Sequence, residues 1–269
     1  MRTDYTFKFD SNFLQKALQF ANKDSHVVYL NPNQYDYPYG AFKHVLAFGC
    51  HKELGGAGEH DFESFKQFID KEKDWAFGYM TYDLKNQLEV LKTNRIDLIG
   101  FPILNFFIPK HIIFFSNDSI EIQSLGNGKE LKLEIEKEQL IDDYPISQAI
   151  NIQNRFSKLE YLKTVKYLQS LIHKGDIYET NFCQEYFSEG VELNPLATFQ
   201  KLNSVSPMPF SCYVKHQDKH LLCASPERFL KKENDKLISQ PIKGTIKRGV
   251  TIEKDDELKA TLTTNLKER

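Results

Sequence analysis

Residues 225–245, SPERFLKKENDKLISQPIKGT, predict a β-hairpin. The polar run from Lys231 to Lys236 is typical of a turn between two strand-like segments. Glu227 and Lys243 lie at equal distances in sequence on either side of Asp235. If the hairpin closes around Asp235, the two side chains are cross-strand neighbours, with Cβ atoms roughly 5 Å apart.

Two interpretations of this pair stay open. The spacing alone favours a structural ion pair, because most such pairs are surface contacts with little effect on stability. The alternative is a nucleophile with its acid/base partner. A lysine is protonated near neutral pH and a carboxylate stabilises that form, so Glu227 would help only by acting on the substrate. It would donate a proton to a departing hydroxyl while Lys243 attacks the same ring.

The residues after Lys243 suit a bound anion. Gly244 would let a ligand approach the backbone closely, and Thr245 offers a hydroxyl and an N–H to a carboxylate. The register matters, because a slip of one residue would place Glu227 and Lys243 on opposite faces of the hairpin.

Composition excludes several classes of protein. The chain has 269 residues and a net charge of −2, which argues against a nucleic-acid partner. It has no apolar run of about 18 residues and no signal-peptide core at its N-terminus, so we expect a cytoplasmic protein without a membrane span. The four cysteines lack Cys-x-x-Cys spacing and the eight histidines are scattered. We therefore expect free thiols, surface or core histidines, and no metal site in this chain.

Hydrophobic patterns in the first half predict mixed secondary structure. An amphipathic segment covers 13–20, and a helix is expected over 61–73. Strands are expected at Val27–Leu30, Val45–Gly49, Trp75–Tyr82 and in a hairpin around Asn117–Asp118. A linker is expected at about 140–155, where a charge-rich stretch ends near Pro145.

A helix opens the second half. Ser157 and Glu160 form a predicted capping box, and Gly175 is the expected C-terminal glycine. The predicted buried face of this helix consists of Leu162, Val165, Leu168, Leu171 and Ile172. Residues 176–186 alternate as in a strand.

Three more elements are expected after that strand. Asn194-Pro195 begins a helix, and Gln217-Asp218 is the turn of a second hairpin. The last segment, 253–269, is predicted to be helical up to Arg269. It has no capping residue, so the chain is expected to be truncated.

Four motifs resemble, in their order, those of the chorismate-utilising enzymes. They are Gly175–Asn181, Pro209–Ser211, Ser225–Phe229 and Pro241–Thr245, and Trp75–Leu91 resembles the N-terminal part of the same enzymes. The family includes anthranilate synthase component I, isochorismate and salicylate synthases, and component I of aminodeoxychorismate synthase. The resemblance implies an α+β fold with large antiparallel β-sheets and helices on their outer faces. It also implies an N-terminal region, 1–145, and the first part of a chorismate-binding catalytic region, 150–269.

The residue after Pro241-Ile242 separates branches of this family. Anthranilate synthases typically have alanine there and aminodeoxychorismate synthases lysine, so Lys243 points to the para-aminobenzoate branch of folate biosynthesis. The resemblance implies that Lys243 attacks C2 of chorismate as the 4-hydroxyl leaves, and that Glu227 protonates that hydroxyl. Ammonia, supplied from glutamine by a separate amidotransferase subunit, would then add at C4. Mg²⁺ would hold a substrate carboxylate.

This sequence also departs from the family pattern. Gln240 stands where arginine is common. Relatives can carry a tryptophan pocket, which would here involve Gly40, Pro209, Phe210 and Ser211. Gly40 occupies the likely position of a serine, which argues against tryptophan as an effector.

The family's Mg²⁺-binding glutamates would follow Arg269, so this chain is expected to hold no metal ligand and to be inactive alone. Two alternatives stay open. One is an anthranilate or isochorismate synthase-type enzyme, and the other is a non-catalytic binding fragment of the same fold.

Overall fold

The computed structural model describes residues 2–56, 61–91, 97–141, 150–242 and 244–265. The strands are β1 (Thr3–Lys8), β2 (His26–Asn31), β3 (Val45–Gly56), β4 (Phe77–Met80), β5 (Leu104–Phe115), β6 (Ser119–Ser124), β7 (Gln153–Asn154), β8 (Tyr186–Phe187), β9 (Phe210–His216), β10 (Lys219–Ser225), β11 (Arg228–Glu233) and β12 (Lys236–Gln240). The helices are α1 (Phe13–Ala21), α2 (Asp61–Glu72), α3 (Gly128–Glu136), α4 (Lys158–Lys174), α5 (Pro195–Val205) and α6 (Ile252–Thr264), with a 3-10 helix at Tyr82–Gln87. None of the helices in the described ranges has the length and apolar character needed to cross a membrane.

The chain divides into two compact units, one of residues 1–140 and 195–269 and one of residues 141–194. The larger unit contains an antiparallel sheet of eight strands in the order β1-β6-β5-β3-β2-β9-β10, with β4 also paired to β5. β5 pairs with β4 through its first half and with β6 through its second half. This arrangement confirms the predicted α+β class with an antiparallel sheet and packed helices.

Helices α1, α3 and α5 cover one face of this sheet. Their apolar side chains form a single buried cluster with side chains from the strands. The helices contribute Phe13, Ala17, Leu18, Ala21, Leu131, Ile135, Leu196 and Phe199, and the strands contribute Val27, Tyr29, Leu46, Phe48, Ile113, Ile120, Ile122 and Tyr213, with Phe115 at the edge. Helix α1 begins at Phe13 as the amphipathic pattern predicts, since its apolar residues recur at helical spacing.

The opposite face of the sheet has its own apolar cluster. It consists of Val28, Val45, Ala47, Phe77, Phe107, Ile112 and Val214. Successive strand residues point to opposite faces, so Val28 and Tyr29 belong to different clusters. Helix α2 contacts β3, and the rings of Phe65 and Phe106 lie 4.4 Å apart.

The smaller unit contains α4 and the short β7–β8 pair. The predicted capping box is confirmed, because the Ser157 hydroxyl accepts from Glu160 N and the Glu160 carboxylate accepts from Ser157 N. Gly175 ends the helix with φ of 81°, in the left-handed region that glycine adopts without strain.

Two predictions for this unit are wrong. None of the residues of α4, all of which are described, is buried; Leu162 is 46% exposed and Ile172 40% exposed. Residues 176–185 form no strand, although all of them are described. A strand needs a partner to bond its backbone, and alternation alone does not supply one.

The predicted boundary at the chain end also differs in part from the structure. Helix α6 ends at Thr264, with Asn265 in extended backbone, so the predicted helix does not continue without a break to Arg269. Residues 266–269, and half of the linker expected at 140–155, lie outside the described residues. Strands β9 and β10, from the second predicted region, extend the sheet beside β2. The division into regions 1–145 and 150–269 stays a prediction.

Candidate functional site

The hairpin predicted at residues 225–245 is present as β11 and β12. Glu233 pairs with Lys236, so the turn consists of Asn234 and Asp235 and its centre lies between them. Asn234 has φ of 52°, a left-handed conformation that asparagine adopts more readily than most residues. The sequence therefore predicts the hairpin correctly but places its centre half a residue too late.

A bulge shifts the register further. It lies between Arg228 and Lys231, and beyond it Arg228 faces Gln240, the last pair of the hairpin. The predicted mirror symmetry of Glu227 and Lys243 about the turn is therefore wrong. An extra residue in one strand is a change of pairing that residue types alone do not reveal.

The Glu227 carboxylate is nevertheless held next to the segment that contains Lys243. Its Oε1 atom accepts a hydrogen bond from the backbone N–H of Ile242, at 3.2 Å. The turn before it is fixed by Ser225, whose hydroxyl donates to Glu227 O at 3.2 Å and accepts from Glu227 N at 3.3 Å. Lys243 itself lies outside the described residues, so its approach to Glu227 stays a prediction.

The residues after Lys243 continue as non-regular backbone. Gly244 is half-buried. Thr245 is exposed, so a ligand can reach it. Further along, Arg248 makes a two-point ion pair with Asp255, with distances of 2.8 and 2.6 Å.

Arg228 anchors the base of the hairpin, a role that the sequence analysis missed. Its guanidinium is buried, donates to the side-chain oxygen of Gln240 at 2.9 Å and donates to the backbone carbonyl of Gly40. It also lies over the ring of Phe210, at 5.1 Å, and over that of Tyr37, at 5.9 Å. Gln240 is thus the partner of an arginine on the opposite strand.

A loop at residues 37–42 receives the hairpin. Three consecutive carbonyls of this loop each accept a hydrogen bond from a hairpin side chain. The pairs are Gln240 Nε2 to Pro38 at 3.2 Å, Lys231 Nζ to Tyr39 at 2.8 Å, and Arg228 Nη2 to Gly40. Tyr39 and Gly40 have φ of 62° and 73°, so this presentation of carbonyls depends on left-handed backbone.

The residues of the predicted effector pocket lie in two settings. Phe210 is buried, and its ring meets the edges of Tyr37 and Phe42 at 5.0 and 5.1 Å. Gly40 joins this group through Arg228. Pro209, the remaining apolar residue of the predicted pocket, is buried beside Phe210.

Ser211 is fully buried, and its hydroxyl is already used. It donates to Met208 O at 3.0 Å and accepts from Asn33 Nδ2 at 3.1 Å and from Met208 N at 3.3 Å. A ligand would have to displace these bonds to reach the hydroxyl. The effector pocket stays a prediction, and Ser211 has a structural role in it.

Comparison with known proteins places this site in context. The family described as chorismate binding enzyme matches residues 15–269. Aminodeoxychorismate synthase component 1 of Bacillus subtilis (strain 168) is 24% identical over 233 residues, which are 81% of this chain and 48% of that protein. Anthranilate synthase component 1 of Saccharomyces cerevisiae is 29% identical over 219 residues, 72% of this chain and 43% of that protein. The chain thus spans less than half the length of these curated relatives.

A solved structure has the same fold. The crystal structure of anthranilate synthase component I from Streptococcus pneumoniae TIGR4 superposes with a TM-score of 0.67 at 18% identity. The match covers 83% of this chain and 57% of that one.

Proposed function

The chain belongs to the family of chorismate binding enzymes, and from this premise we propose that it acts on chorismate as component I of an aminodeoxychorismate synthase. The observation that carries the proposal is the bond from Ile242 N to the Glu227 carboxylate. This bond holds a potential proton donor beside the backbone of the segment Pro241–Thr245. That segment contains Lys243, the lysine expected to distinguish the para-aminobenzoate branch.

The proposed reaction uses two side chains of this chain. Neutral Lys243 forms a bond from Nζ to C2 of chorismate, the two ring double bonds shift toward C4, and the C4–O bond breaks. Glu227, protonated beforehand, gives its proton to the departing oxygen, so that water leaves. Ammonia then bonds to C4, the ring double bonds shift back, and the C2–Nζ bond breaks, which releases neutral Lys243. The Glu227 carboxylate takes one proton from the new C4 ammonium group and is protonated again. The products are 4-amino-4-deoxychorismate and water.

The geometry around Glu227 suits this role. The carboxylate is exposed at the base of the hairpin, where a substrate can reach it, and one of its oxygens is held by a backbone donor. Because Ile242 N bonds to Oε1, the other carboxyl oxygen can carry the proposed proton. Gly244 and Thr245 would bind a carboxylate of chorismate through backbone N–H groups and a hydroxyl.

The described residues at this site do not form a Mg²⁺ site. Mg²⁺ prefers oxygen ligands in octahedral geometry, and of the three side chains at the hairpin base, Glu227, Arg228 and Gln240, only Glu227 is anionic. Among the described residues, the only group of three potential metal ligands lies elsewhere, on the large sheet. We therefore propose Mg²⁺ only as a cofactor of the complete enzyme, bound by residues outside this group.

Ammonia is the proposed co-substrate, supplied by a glutamine amidotransferase subunit. A second function has one observation in its favour: a relative named anthranilate synthase component 1 is 29% identical, above the 24% of the aminodeoxychorismate synthase. Lys243 favours the first function, since a nucleophilic lysine has no role where ammonia attacks the ring directly.

Product analysis separates the candidates. The protein that carries this chain is incubated with chorismate, ammonium and Mg²⁺, and the products are identified by chromatography with mass detection. Formation of 4-amino-4-deoxychorismate supports the proposal. Anthranilate or isochorismate as the product would overturn it in favour of the alternative branch, and binding of chorismate without any product would favour a non-catalytic binding role.

A further inference from the structure

Two histidines and one glutamate meet at one end of the large sheet, away from the hairpin. His26 is the first residue of β2 and His216 is the last residue of β9. They face each other directly in the antiparallel register of these strands. Glu53 belongs to β3, which pairs with β2 on its other side. Sequence distances of 27 and 163 residues separate Glu53 from the two histidines, so no local motif reveals the group.

The three side chains point their ligand atoms at one another. Glu53 Oε1 lies 3.1 Å from His26 Nε2 and 3.0 Å from His216 Nε2, and all three ligand atoms lie within 4.8 Å of one another. Zinc bonds of about 2.0–2.1 Å in tetrahedral geometry place neighbouring ligand atoms roughly 3.3 Å apart. The two distances to Glu53 are close to this value, and the histidine nitrogens lie within 4.8 Å of each other, so a cation fits once the two rings approach it.

The Nε2 atom of His26 carries a second, independent indication. The ring is 96% buried, with 4% of the residue exposed, yet Nε2 makes no hydrogen bond. Its distance to Glu53 is that of an ion pair, but the directions of the two groups do not give a hydrogen bond. Buried polar atoms are nearly always satisfied, so this imidazole nitrogen is expected to hold either a proton shared with Glu53 or a cation beside the pair.

Each ligand also has a supporting partner. The other ring nitrogen of His26 lies 2.9 Å from the Ser25 hydroxyl, and that of His216 lies 3.3 Å from the Tyr79 hydroxyl. Metal-binding histidines usually have their second nitrogen held in this way, because the contact fixes the tautomer and the ring orientation. Asn105 donates to Glu53 Oε1 at 2.7 Å and orients the carboxylate.

We propose that His26, Glu53 and His216 form a binding site for a divalent transition-metal ion of the Zn²⁺ class. Two imidazoles and one carboxylate are a ligand set that suits Zn²⁺ rather than Mg²⁺ or Ca²⁺, which prefer oxygen. Glu53 has 33% of its side chain exposed, so the fourth position opens to solvent on its side. The ion joins β2, β3 and β9 at this end of the sheet.

Partial burial by itself would raise the pKa of the Glu53 carboxyl, but contacts with His26 and Asn105 together with His216 hold that pKa below its ordinary value. The competing explanation is a cluster held by a proton shared between the histidines and the glutamate, with no metal.

Metal binding by the purified 269-residue chain tests the site. The chain, without an affinity tag and stripped with a chelator, is titrated with Zn²⁺ in a calorimeter and with Co²⁺ while its visible spectrum is recorded. We expect one ion per chain and the absorption of a four-coordinate Co²⁺ site. If the chain binds one equivalent of neither Zn²⁺ nor Co²⁺, the proposal is overturned and the shared proton remains as the explanation.

Variants identify the ligands. Glu53→Gln keeps the size of the side chain and should weaken Zn²⁺ binding by at least about tenfold, the lower end of the loss seen when supporting partners of a metal site are removed. His216→Ala should abolish the Co²⁺ spectrum. The matched control is His173→Ala, which removes an exposed histidine of α4 whose ring bonds to Gln169 O in its own helix. Circular dichroism checks folding, and unchanged affinity in folded Glu53→Gln would overturn the ligand assignment.

Discussion

The buried guanidinium of Arg228 donates to the backbone carbonyl of Gly40, a residue 188 positions earlier in the chain. This bond fastens the hairpin that carries Glu227 to a loop between β2 and β3. The position of the proposed proton donor is therefore determined by contacts with the N-terminal half of the chain. A substitution far from the chemistry can consequently change how Glu227 is placed.

Removal of Arg228 should loosen the hairpin. Arg228→Ala leaves the Gly40 carbonyl and the Gln240 amide without their donor, and hydrogen bonds from a charged group contribute about 1.5–3 kcal/mol. We expect a loss of that size in the free energy of unfolding, measured with urea, and faster proteolysis within β11–β12. Arg228→Lys should recover little of the lost stability, because an ammonium group cannot reproduce the planar two-point geometry of a guanidinium. Lys232→Ala, an exposed change on the same strand, should leave both measurements unaltered; an equal effect would refute the anchoring role.

Gly40 and Gly78 should respond differently to alanine. Gly40 has φ of 73°, and an added Cβ would meet no atom within 4 Å, so the cost is conformational alone, about 1–2 kcal/mol. At Gly78, in β4, an added Cβ would overlap the backbone of Asn105 and Phe106. Two paired backbones cannot move apart without losing the β4–β5 ladder, so Gly78→Ala should cost about 3 kcal/mol or more. Thermal unfolding of the two variants measures the difference, and similar costs would contradict it.

Local signals and long-range contacts differ in how far the sequence reveals them. The capping box of Ser157 and Glu160 and the C-terminal Gly175 are correct predictions because each depends on residues within one turn. The buried face assigned to α4 is wrong because an apolar stripe does not specify what covers it. Alternation at residues 176–185 likewise did not supply a pairing strand.

The candidate sites show the same limit more sharply. Glu227 was recognisable from its motif, but the bulge that sets its register was not. The contact of Arg228 with Gly40, and the meeting of His26 with His216, depend on which strands become neighbours in the sheet. That order results from the packing of the whole unit, and the pattern of a single segment does not contain it.

Ser211 should act as a structural residue. Its buried hydroxyl bonds to Asn33 and Met208, so Ser211→Ala leaves the half-buried Asn33 amide without one of its partners and should lower the free energy of unfolding by about 1–3 kcal/mol. Ser204→Ala, an exposed serine on α5 that bonds its own helix, is the matched control and should change stability by less than about 0.5 kcal/mol. If Ser211→Ala were as stable as the wild type, the bonds of the hydroxyl would not stabilise the fold. The structural role of Ser211 would then be refuted, and the hydroxyl would be available to a ligand.

The stability of the fold should fall in mild acid because of His44. Burial lowers the pKa of this histidine to about 4 from its ordinary 6.5, and its ring bonds to the Tyr29 hydroxyl at 2.9 Å. Between these two pKa values the unfolded chain binds the extra proton, so stability decreases as the pH falls from about 6.5 to about 4 and levels off below. Allowing for its partial exposure, the contribution is about 1–2 kcal/mol.

His44→Gln should remove part of this pH dependence. The measurement is urea unfolding at about pH 7 and about pH 5, where the wild type should lose more stability than the variant. His111 has its pKa lowered to about 4 as well, mainly by burial, so a smaller dependence should persist in the single variant. His173→Gln, at an exposed position, should behave as the wild type does. A wild-type stability equal at the two pH values would refute the assignment.

Substitution of Lys243 and Glu227 should separate the two halves of the proposed chemistry. Glu227→Gln still presents an amide oxygen to Ile242 N, so the hairpin should remain intact while the proton donor is lost. We expect turnover of chorismate with ammonium to fall by about 10²–10⁴-fold with little change in KM, the range associated with a general acid.

Lys243→Ala removes the nucleophile. Without ammonia, the wild-type enzyme is expected to form a covalent adduct with chorismate that mass spectrometry detects, and this variant should form none. Lys247→Ala, at an exposed position four residues later, is the matched control and should retain both adduct and turnover. An adduct that persists in Lys243→Ala, or undiminished turnover in either active-site variant, would remove the assigned residue from the mechanism, because a lysine that forms the C2 bond cannot be dispensable for it.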